Sequence, residues 1–242
     1  MTYLLLFSVF VVATCGLVYE LITGALASYL LGDSVTQFST IIGTYLFAMG
    51  VGSYFSKFFT RNLLNVFIEI EMIIGLIGGF SAAFLFLSYE YVVSFRFILY
   101  SVIFIIGCFV GLEIPLLMRI LQDRFEFKDL VSKIFTYDYI GALIASISFP
   151  LLLVPYLGLV RSSLLFGIFN VAVALVTIIV FKSEIKSEGF LRFKAIATLV
   201  LLVVAFGYSE KMVSFLEVQN YRERIVFKKN TAYQKIILTQ NA

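Results

Sequence analysis

Four acidic side chains lie inside apolar stretches of this 242-residue chain. A charged side chain near the centre of a bilayer is costly, so it normally faces a protein interior or a water-filled path. Acids outnumber bases at this depth, so a cavity lined by them would favour an organic cation or a proton. The four acids are Glu20, Glu71, Glu113 and Asp138. The alternative is that each acid is protonated or bonded to nearby hydroxyl groups, for which the candidates are Tyr19, Tyr45, Tyr137 and Tyr139.

Pro115 follows Glu113 by two residues within one apolar run. A proline has no backbone N–H and leaves the carbonyl of Gly111 without its helical partner. In lipid that carbonyl must find another partner or line a cavity. We therefore expect a helix kinked at Pro115, with Glu113 either on a functional path or bonded to a neighbouring helix.

The composition indicates an integral membrane protein. The chain is 61% hydrophobic and 14% charged, with a mean hydropathy of +1.03, and no ordinary soluble domain is so apolar. Seven apolar runs approach the roughly 20 residues that a bilayer span needs. The expected fold class is therefore all-α, a bundle of about seven transmembrane helices. The runs cover about 3–31, 38–55, 63–87, 97–118, 134–154, 162–181 and 193–208.

Residue spacing orients three of the four acids. Glu20, Glu71 and Asp138 each share a helix face with glycine, alanine or serine residues. Neighbouring backbones can approach closely at such a face, so we expect these three side chains to point into the bundle. Glu113 does not lie on the glycine face of its helix, so its direction cannot be derived from packing.

The residues that are missing exclude several chemistries. The chain has no histidine and two cysteines, Cys15 and Cys108, both within apolar runs. A Ser-His-Asp triad, a His-based metal site and a CxxC redox pair are therefore excluded. We expect no catalytic residue, no metal and no cofactor in this chain, and its small positive charge does not indicate nucleic-acid binding.

Basic residues set the expected orientation in the membrane. Ten lysines and arginines flank the breaks after the second, fourth and sixth helices, and two, Arg96 and Arg161, flank the opposite breaks. Basic residues favour the cytoplasmic side, so we expect a multi-pass protein of the cell (inner) membrane with a cytoplasmic amino terminus. Seven crossings would place the tail after Tyr208 outside. Glu69 is expected at the interface, paired with Arg61.

A weak similarity between two parts of the sequence allows a fold of two inverted three-helix repeats plus one helix. Residues 41–43 (IIG) resemble residues 139–141 (YIG), and Gly16 to Glu20 resembles Gly111 to Glu113. Repeats of this kind are typical of transporters, whose sites lie near the bilayer midplane.

Long stretches of the chain resemble the membrane part of spermidine-synthase-like proteins. The stretches are GLVYELITGALASYLLGDSVTQFSTIIGTYLFAMGVGS (16–53), VGLEIPLLMRIL (110–121) and FKDLVSKIFTYDYIGALIAS (127–146). In these polyamine aminopropyltransferase relatives, a multi-helix domain precedes a soluble catalytic domain. The donor that such enzymes use is decarboxylated S-adenosylmethionine.

The tail extends the resemblance. Residues 221–240 (YRERIVFKKNTAYQKIILTQ) alternate apolar and polar positions as a strand pair does. They are similar to the first hairpin of the aminopropyltransferase domain, whose Tyr-Gln motif matches Tyr233 and Gln234. The resemblance implies that Gln234 contributes to the substrate site. We expect two parts, a transmembrane domain (1–210) and a polar, β-like tail (211–242).

No glycine-rich nucleoside-binding turn or catalytic acid follows Gln240, so the chain is expected to be inactive alone as an aminopropyltransferase. The leading expectation is a membrane domain that anchors a catalytic partner and holds a polyamine or other organic cation among Glu20, Glu71, Glu113 and Asp138. One alternative is a self-contained proton-coupled or cation/polyamine transporter. The other is a structural subunit of a membrane complex. The expected partners are lipid, a cationic metabolite, and a catalytic domain or another membrane subunit.

Overall fold

The computed structural model describes residues 2–92, 94–185, 187–211, 224–230 and 235–240. Over these residues the fold is helical apart from one strand pair, which confirms the all-α prediction. The helices of the described residues are α1 (Thr2–Leu31), α2 (Ser34–Phe55), α3 (Leu63–Tyr91), α4 (Phe95–Leu121), α5 (Phe127–Ser148), α6 (Gly158–Val180) and α7 (Glu188–Gly207). Two 3₁₀ turns, Ser56–Phe58 and Gln122–Arg124, follow α2 and α4.

Most helices begin earlier than the apolar runs predict, and the difference is largest for two of them. The α5 helix starts at Phe127 and not near Ile134, and α7 starts at Glu188 and not near Phe193. Their first turns are charged, so a prediction based on apolar residues places the start too late. The charged residues of 127–133 therefore belong to the first turns of α5.

A π-helical segment, Phe149–Leu157, joins α5 to α6. It contains Pro150 and Pro155. A proline removes one regular helical hydrogen bond, and wider π turns are one way in which a helix absorbs such a loss. At Gly158 the backbone has a φ of 72°, a left-handed conformation that glycine adopts without strain.

The α1 helix is central to the bundle, because it packs against α2, α3, α4, α5 and α6. Elsewhere, α3 packs closely on α6 and α2 packs closely on α4. A Cβ atom added at Gly167 of α6 would lie 2.5 Å from the carbonyl oxygen of Gly75, and one added at Gly52 of α2 would overlap the carbonyl of Cys108. Side chains larger than hydrogen would therefore push these helix pairs apart.

The buried apolar side chains form two clusters. Along α3, Ile70 and Ile74 belong to one cluster, and Ile68 and Met72 belong to the other. Glu71 therefore lies where the two clusters meet.

Six helical stretches of the described chain are long and apolar enough to cross a membrane, judged by length and composition alone. Phe127–Val180 counts as one stretch, because the π-helical segment joins α5 to α6. The outer faces of α2 and α7 are largely apolar, and Phe47 and Phe193 are 67% and 69% exposed there.

Two strands lie in the segment where apolar and polar residues alternate. Strand β1 (Arg224–Asn230) pairs antiparallel with β2 (Lys235–Gln240), with an irregularity between Ile225 and Phe227. Phe227 and Leu238 expose about half of their side-chain surface.

Candidate functional site

Glu71 of α3 and Glu113 of α4 form the centre of the candidate site. Glu71 is fully buried, and Glu113 is 2% exposed. Their carboxyl groups lie within interaction range of each other, because α3 packs against α4. Two glycines of α4, Gly107 and Gly111, pack on α2. Glu113 therefore lies on a different face, which is turned toward α3.

The hydrogen-bonding capacity of these two carboxyl groups is unmet within the described part of the chain. Both oxygens of Glu71 and Oε1 of Glu113 have no hydrogen-bond partner there. Arg119, further along α4, donates hydrogen bonds to the carbonyl oxygens of Ser56 and Phe59, at 3.0 and 2.6 Å. Leaving a buried polar group without a hydrogen-bond partner costs about 1–3 kcal/mol. The three oxygens without a partner can therefore accept hydrogen bonds from a further group.

Tyr19 of α1 and Asn170 of α6 complete the buried polar group. The hydroxyl of Tyr19 donates to Oδ1 of Asn170 at 3.5 Å, and Tyr19 lies within electrostatic range of Glu71 and Glu113. Asn170 packs beside Gly75, one helical turn beyond Glu71. Both side chains are fully buried, and Nδ2 of Asn170 lacks a partner among the described residues. Four helices therefore bring polar groups to one point.

Tyr45 of α2 connects this centre to the other two acids. Its hydroxyl donates to the carbonyl oxygen of Gly16 at 2.9 Å. Glu20, Glu113 and Asp138 all lie within electrostatic range of Tyr45, and Asp138 also lies within that range of Glu113. Glu20 is 6% exposed, and Asp138 is half-buried.

The structure thus brings Glu113 within electrostatic range of Glu71 and Asp138, and it places Glu20 within that range of Tyr45. The hydroxyls of Tyr19 and Tyr45, which the sequence offered as caps for the acids, bind an amide oxygen and a backbone carbonyl instead. Contact between these acids and a substrate stays a prediction. So does the kink at Pro115, which lies inside the continuous helix α4.

Other features of the predicted site are absent from the described residues or lie outside them. Gln234 falls outside the described residues. In the described part of the chain, no group of three or more His, Cys, Asp and Glu side chains could hold a metal ion. A cavity of about 710 Å³ is lined by residues such as Leu31, Phe95 and Arg96, and none of the four acids lines it.

Two polar contacts in the structure are not predicted from the sequence. Asn170 is neutral and so escaped a search for charges, although it is the one strongly polar side chain in the apolar run 164–176. The predicted pairing of Glu69 with Arg61 is wrong, because Glu69 accepts a hydrogen bond from Lys194 of α7 at 3.2 Å. That partner is distant in sequence and becomes close only because α3 packs against α7.

Relatives of the chain are named polyamine aminopropyltransferases. One from Leptospira interrogans is 48% identical over 233 residues, which cover 96% of this chain and 47% of that protein. Polyamine aminopropyltransferase 2 of Ralstonia nicotianae is 46% identical over 244 residues, covering 98% of this chain and 48% of that protein. The corresponding protein of Oceanobacillus iheyensis is 35% identical over 236 residues, covering 96% and 46%.

The chain spans about half the length of the curated relatives it matches. No protein-family model matches the chain. No solved structure matches it either.

These similarities support the spermidine-synthase-like resemblance and correct the expected function. A membrane anchor that binds an organic cation, a transporter and a structural subunit were the expectations. Relatives 35–48% identical over nearly the whole chain are named as enzymes of group transfer, so those expectations are wrong. An apolar composition indicates an apolar environment around a chain. It does not identify the reaction in which the chain takes part.

Proposed function

We propose that this chain takes part in the transfer of an aminopropyl group to a polyamine. The observation that carries the proposal is 46–48% identity, over 96–98% of the chain, to proteins named polyamine aminopropyltransferase. A helical bundle alone would not support an activity, because one fold serves many functions.

The reaction proposed is a nucleophilic substitution at carbon. An amine nitrogen of the acceptor attacks the methylene carbon that is bonded to the sulfonium sulfur of decarboxylated S-adenosylmethionine. A C–N bond forms while the C–S bond breaks, and its electron pair stays on sulfur, which leaves as a neutral thioether. The alkylated nitrogen then gives a proton to a base, which is the general-base part of the reaction.

Gln234 is the residue of this chain that we propose as a contact for the acceptor amine. It belongs to the Tyr-Gln pair at residues 233–234, which resembles the substrate-site motif of aminopropyltransferases. An amide oxygen can accept a hydrogen bond from an ammonium or amine group. In this proposal the chain has two parts, helices (1–210) and a tail (211–242). The proposed contact with the acceptor amine lies in the tail.

We place the helical part in the cell membrane, with the amino terminus in the cytoplasm. Six helical stretches of the described chain have sufficient length and apolar character. Hydrogen bonds and an ion pair also link the basic segments that follow α2, α4 and α6. Arg119 reaches the carbonyl of Phe59, and Arg124 pairs with Glu184. The basic residues therefore gather at one end of the bundle, as an orientation set by positive charge requires.

The packing supports an inverted repeat of α1–α3 and α4–α6. If α1 corresponds to α4, α2 to α5 and α3 to α6, then the contact of α1 with α5 corresponds to that of α4 with α2. The contact of α1 with α6 likewise corresponds to that of α4 with α3. All four contacts are present, and two of the three self-corresponding pairs, α1 with α4 and α3 with α6, also pack together.

Steady-state kinetics of the intact protein from native membranes would test the activity. We expect turnover of decarboxylated S-adenosylmethionine with an acceptor from a panel of diamines and spermidine. Gln234→Ala should raise KM for the acceptor more than KM for the donor. Gln240→Ala, which changes an exposed side chain of the same type on β2, is the matched control and should leave both values unchanged. No turnover by the unsubstituted protein with any acceptor would contradict the proposal.

A further inference from the structure

Among the residues that the structure describes, no basic side chain forms an ion pair with Glu71 or Glu113. The ionisable and polar groups facing the pair come from each helix packed around it within the described residues. They are Cys15 and Tyr19 of α1, Tyr45 of α2, Asp138 of α5 and, through Tyr19, Asn170 of α6. Glu20 of α1 lies within electrostatic range of Tyr45. The basic groups near this level are engaged elsewhere, Arg119 with two backbone carbonyls and Lys194 of α7 with Glu69.

Two ionised carboxylates cannot lie side by side in such a place at low cost. Burial disfavours each charge, and the two charges also repel each other. One proton between them removes one of the charges. It also supplies an O–H donor for the oxygens of Glu71 and Glu113 that otherwise have no partner in the described chain.

We propose that Glu71 and Glu113 form a buried proton-binding site, in which one proton is shared by the two facing carboxyl groups. The site lies between the two apolar clusters of the bundle and is formed by α3 and α4, with Tyr19 and Asn170 beside it. This inference does not depend on the proposed aminopropyl transfer. It concerns protonation at a site and not movement of an ion across a membrane.

Asn170 provides a second, independent observation, because it is another buried polar group beside the pair with an unmet hydrogen-bonding capacity in the described chain. Its amide is fully buried, and its Nδ2 donor has no partner within the described structure. Its Oδ1 is already bonded by Tyr19, so the free donor needs an acceptor. A water molecule bonded to the shared-proton pair provides that acceptor, as buried waters do for unsatisfied polar groups.

Asp138 gives the site a connection to the outside of the bundle. It is half-buried and lies within electrostatic range of Glu113. The proposed route of proton exchange therefore runs from the carboxyl pair to Asp138. Glu20 and Asp138 both lie within electrostatic range of Tyr45.

Infrared spectroscopy of the full protein in lipid nanodiscs tests the site, because a protonated carboxyl has a C=O stretch separate from that of a carboxylate. We expect this band at neutral pH in the unsubstituted protein. Glu71→Gln and Glu113→Gln should each shift or remove the band. Glu69→Gln, which changes an exposed acid on the same helix, should leave it in place.

Transfer into D₂O tests the route. Asp138→Asn should slow the isotope shift of the band severalfold while leaving its position unchanged. An exchange rate equal to that of the unsubstituted protein would remove Asp138 from the proposal.

Two results would overturn the site itself. One is the absence of the band in the unsubstituted protein at neutral pH, a result that needs no variant to fold. The other is a thermal unfolding temperature that rises with sodium chloride but not with choline chloride at equal ionic strength, since this would identify sodium in place of the proton.

Discussion

The hydroxyl of Tyr19 donates a hydrogen bond to Oδ1 of Asn170 at 3.5 Å, and both side chains are fully buried. The bond links α1 to α6 beside the two central acids. Tyr19→Phe removes the donor and leaves the amide of Asn170 with neither end bonded within the described chain. We expect this change to lower the free energy of unfolding by about 1–3 kcal/mol, the usual cost of an unsatisfied buried polar group.

Thermal unfolding in detergent checks this prediction, with Tyr139→Phe as the control. Tyr139 is 66% exposed, so removing its hydroxyl should leave stability nearly unchanged. Equal unfolding temperatures for Tyr19→Phe and Tyr139→Phe would show that the buried hydrogen bond contributes nothing.

The close approach of α3 and α6 gives a second prediction. In Gly167→Ala the new methyl group would lie 2.5 Å from the carbonyl oxygen of Gly75 and 2.9 Å from Cα of Gly79. Both atoms belong to backbone, so the helices must separate, at an expected cost of about 1–3 kcal/mol of unfolding free energy. Gly43→Ala is the control, because no atom lies within 4 Å of its added Cβ, and it should not destabilise the protein in the same unfolding assay.

Arg119 gives a third prediction, which concerns the turn between α2 and α3. Its guanidinium donates to the carbonyl oxygens of Ser56 and Phe59, and hydrogen bonds to a charged group contribute about 1.5–3 kcal/mol. Arg119→Ala should therefore loosen the turn and speed tryptic cleavage after Lys57 and Arg61. Arg124→Ala, which breaks a partly exposed pair with Glu184, should change the cleavage rate little. Equal tryptic cleavage rates in the two variants would contradict the proposed role of Arg119 in stabilising the turn.

Asp33, between α1 and α2, gives a pH dependence. Hydrogen bonds from the side chain and the backbone N–H of Thr36 hold the pKa of the Asp33 carboxyl below its ordinary value. A lowered pKa in the folded state means that the stabilisation is present above the pKa of the unfolded chain. It is lost as the pH falls through the folded-state pKa.

Asp33→Ala should therefore unfold at a lower temperature than the unsubstituted protein at neutral pH, and the difference should shrink as the solution becomes acidic. Asp33→Asn keeps a side-chain acceptor at the start of α2 without an ionisable group. Its deficit at neutral pH should be smaller, and it should also shrink on acidification, because the pH-dependent stabilisation belongs to the Asp33 carboxylate of the unsubstituted protein. A deficit of Asp33→Ala that grows on acidification would contradict the prediction.

The sequence predicts the helices and the inward direction of most acids, because both depend on local patterns. Apolar runs mark the helices, and small residues four positions apart mark the faces that pack. Glu71 lies on such a face with Gly75, and the structure buries it. The direction of Glu113 depends on which helix lies opposite, and this follows from the packing of α3 on α4 and not from spacing along α4.

Neutral polar residues and partners distant in sequence were beyond prediction from local patterns. Asn170 carries no charge, so its isolation in an apolar run was the only signal that it had a polar neighbour. The pairing of Glu69 with Lys194 depends on the packing of α7 against α3. The nearest basic residue in sequence was therefore the wrong choice of partner.

The mass of the reaction product tests the proposed function most directly. The intact protein from native membranes would be incubated with decarboxylated S-adenosylmethionine and each acceptor amine, and the products separated and weighed by mass spectrometry. We expect an acceptor enlarged by one aminopropyl group, together with one equivalent of the thioether. Recovery of every acceptor unchanged, from a preparation that remains folded, would contradict it.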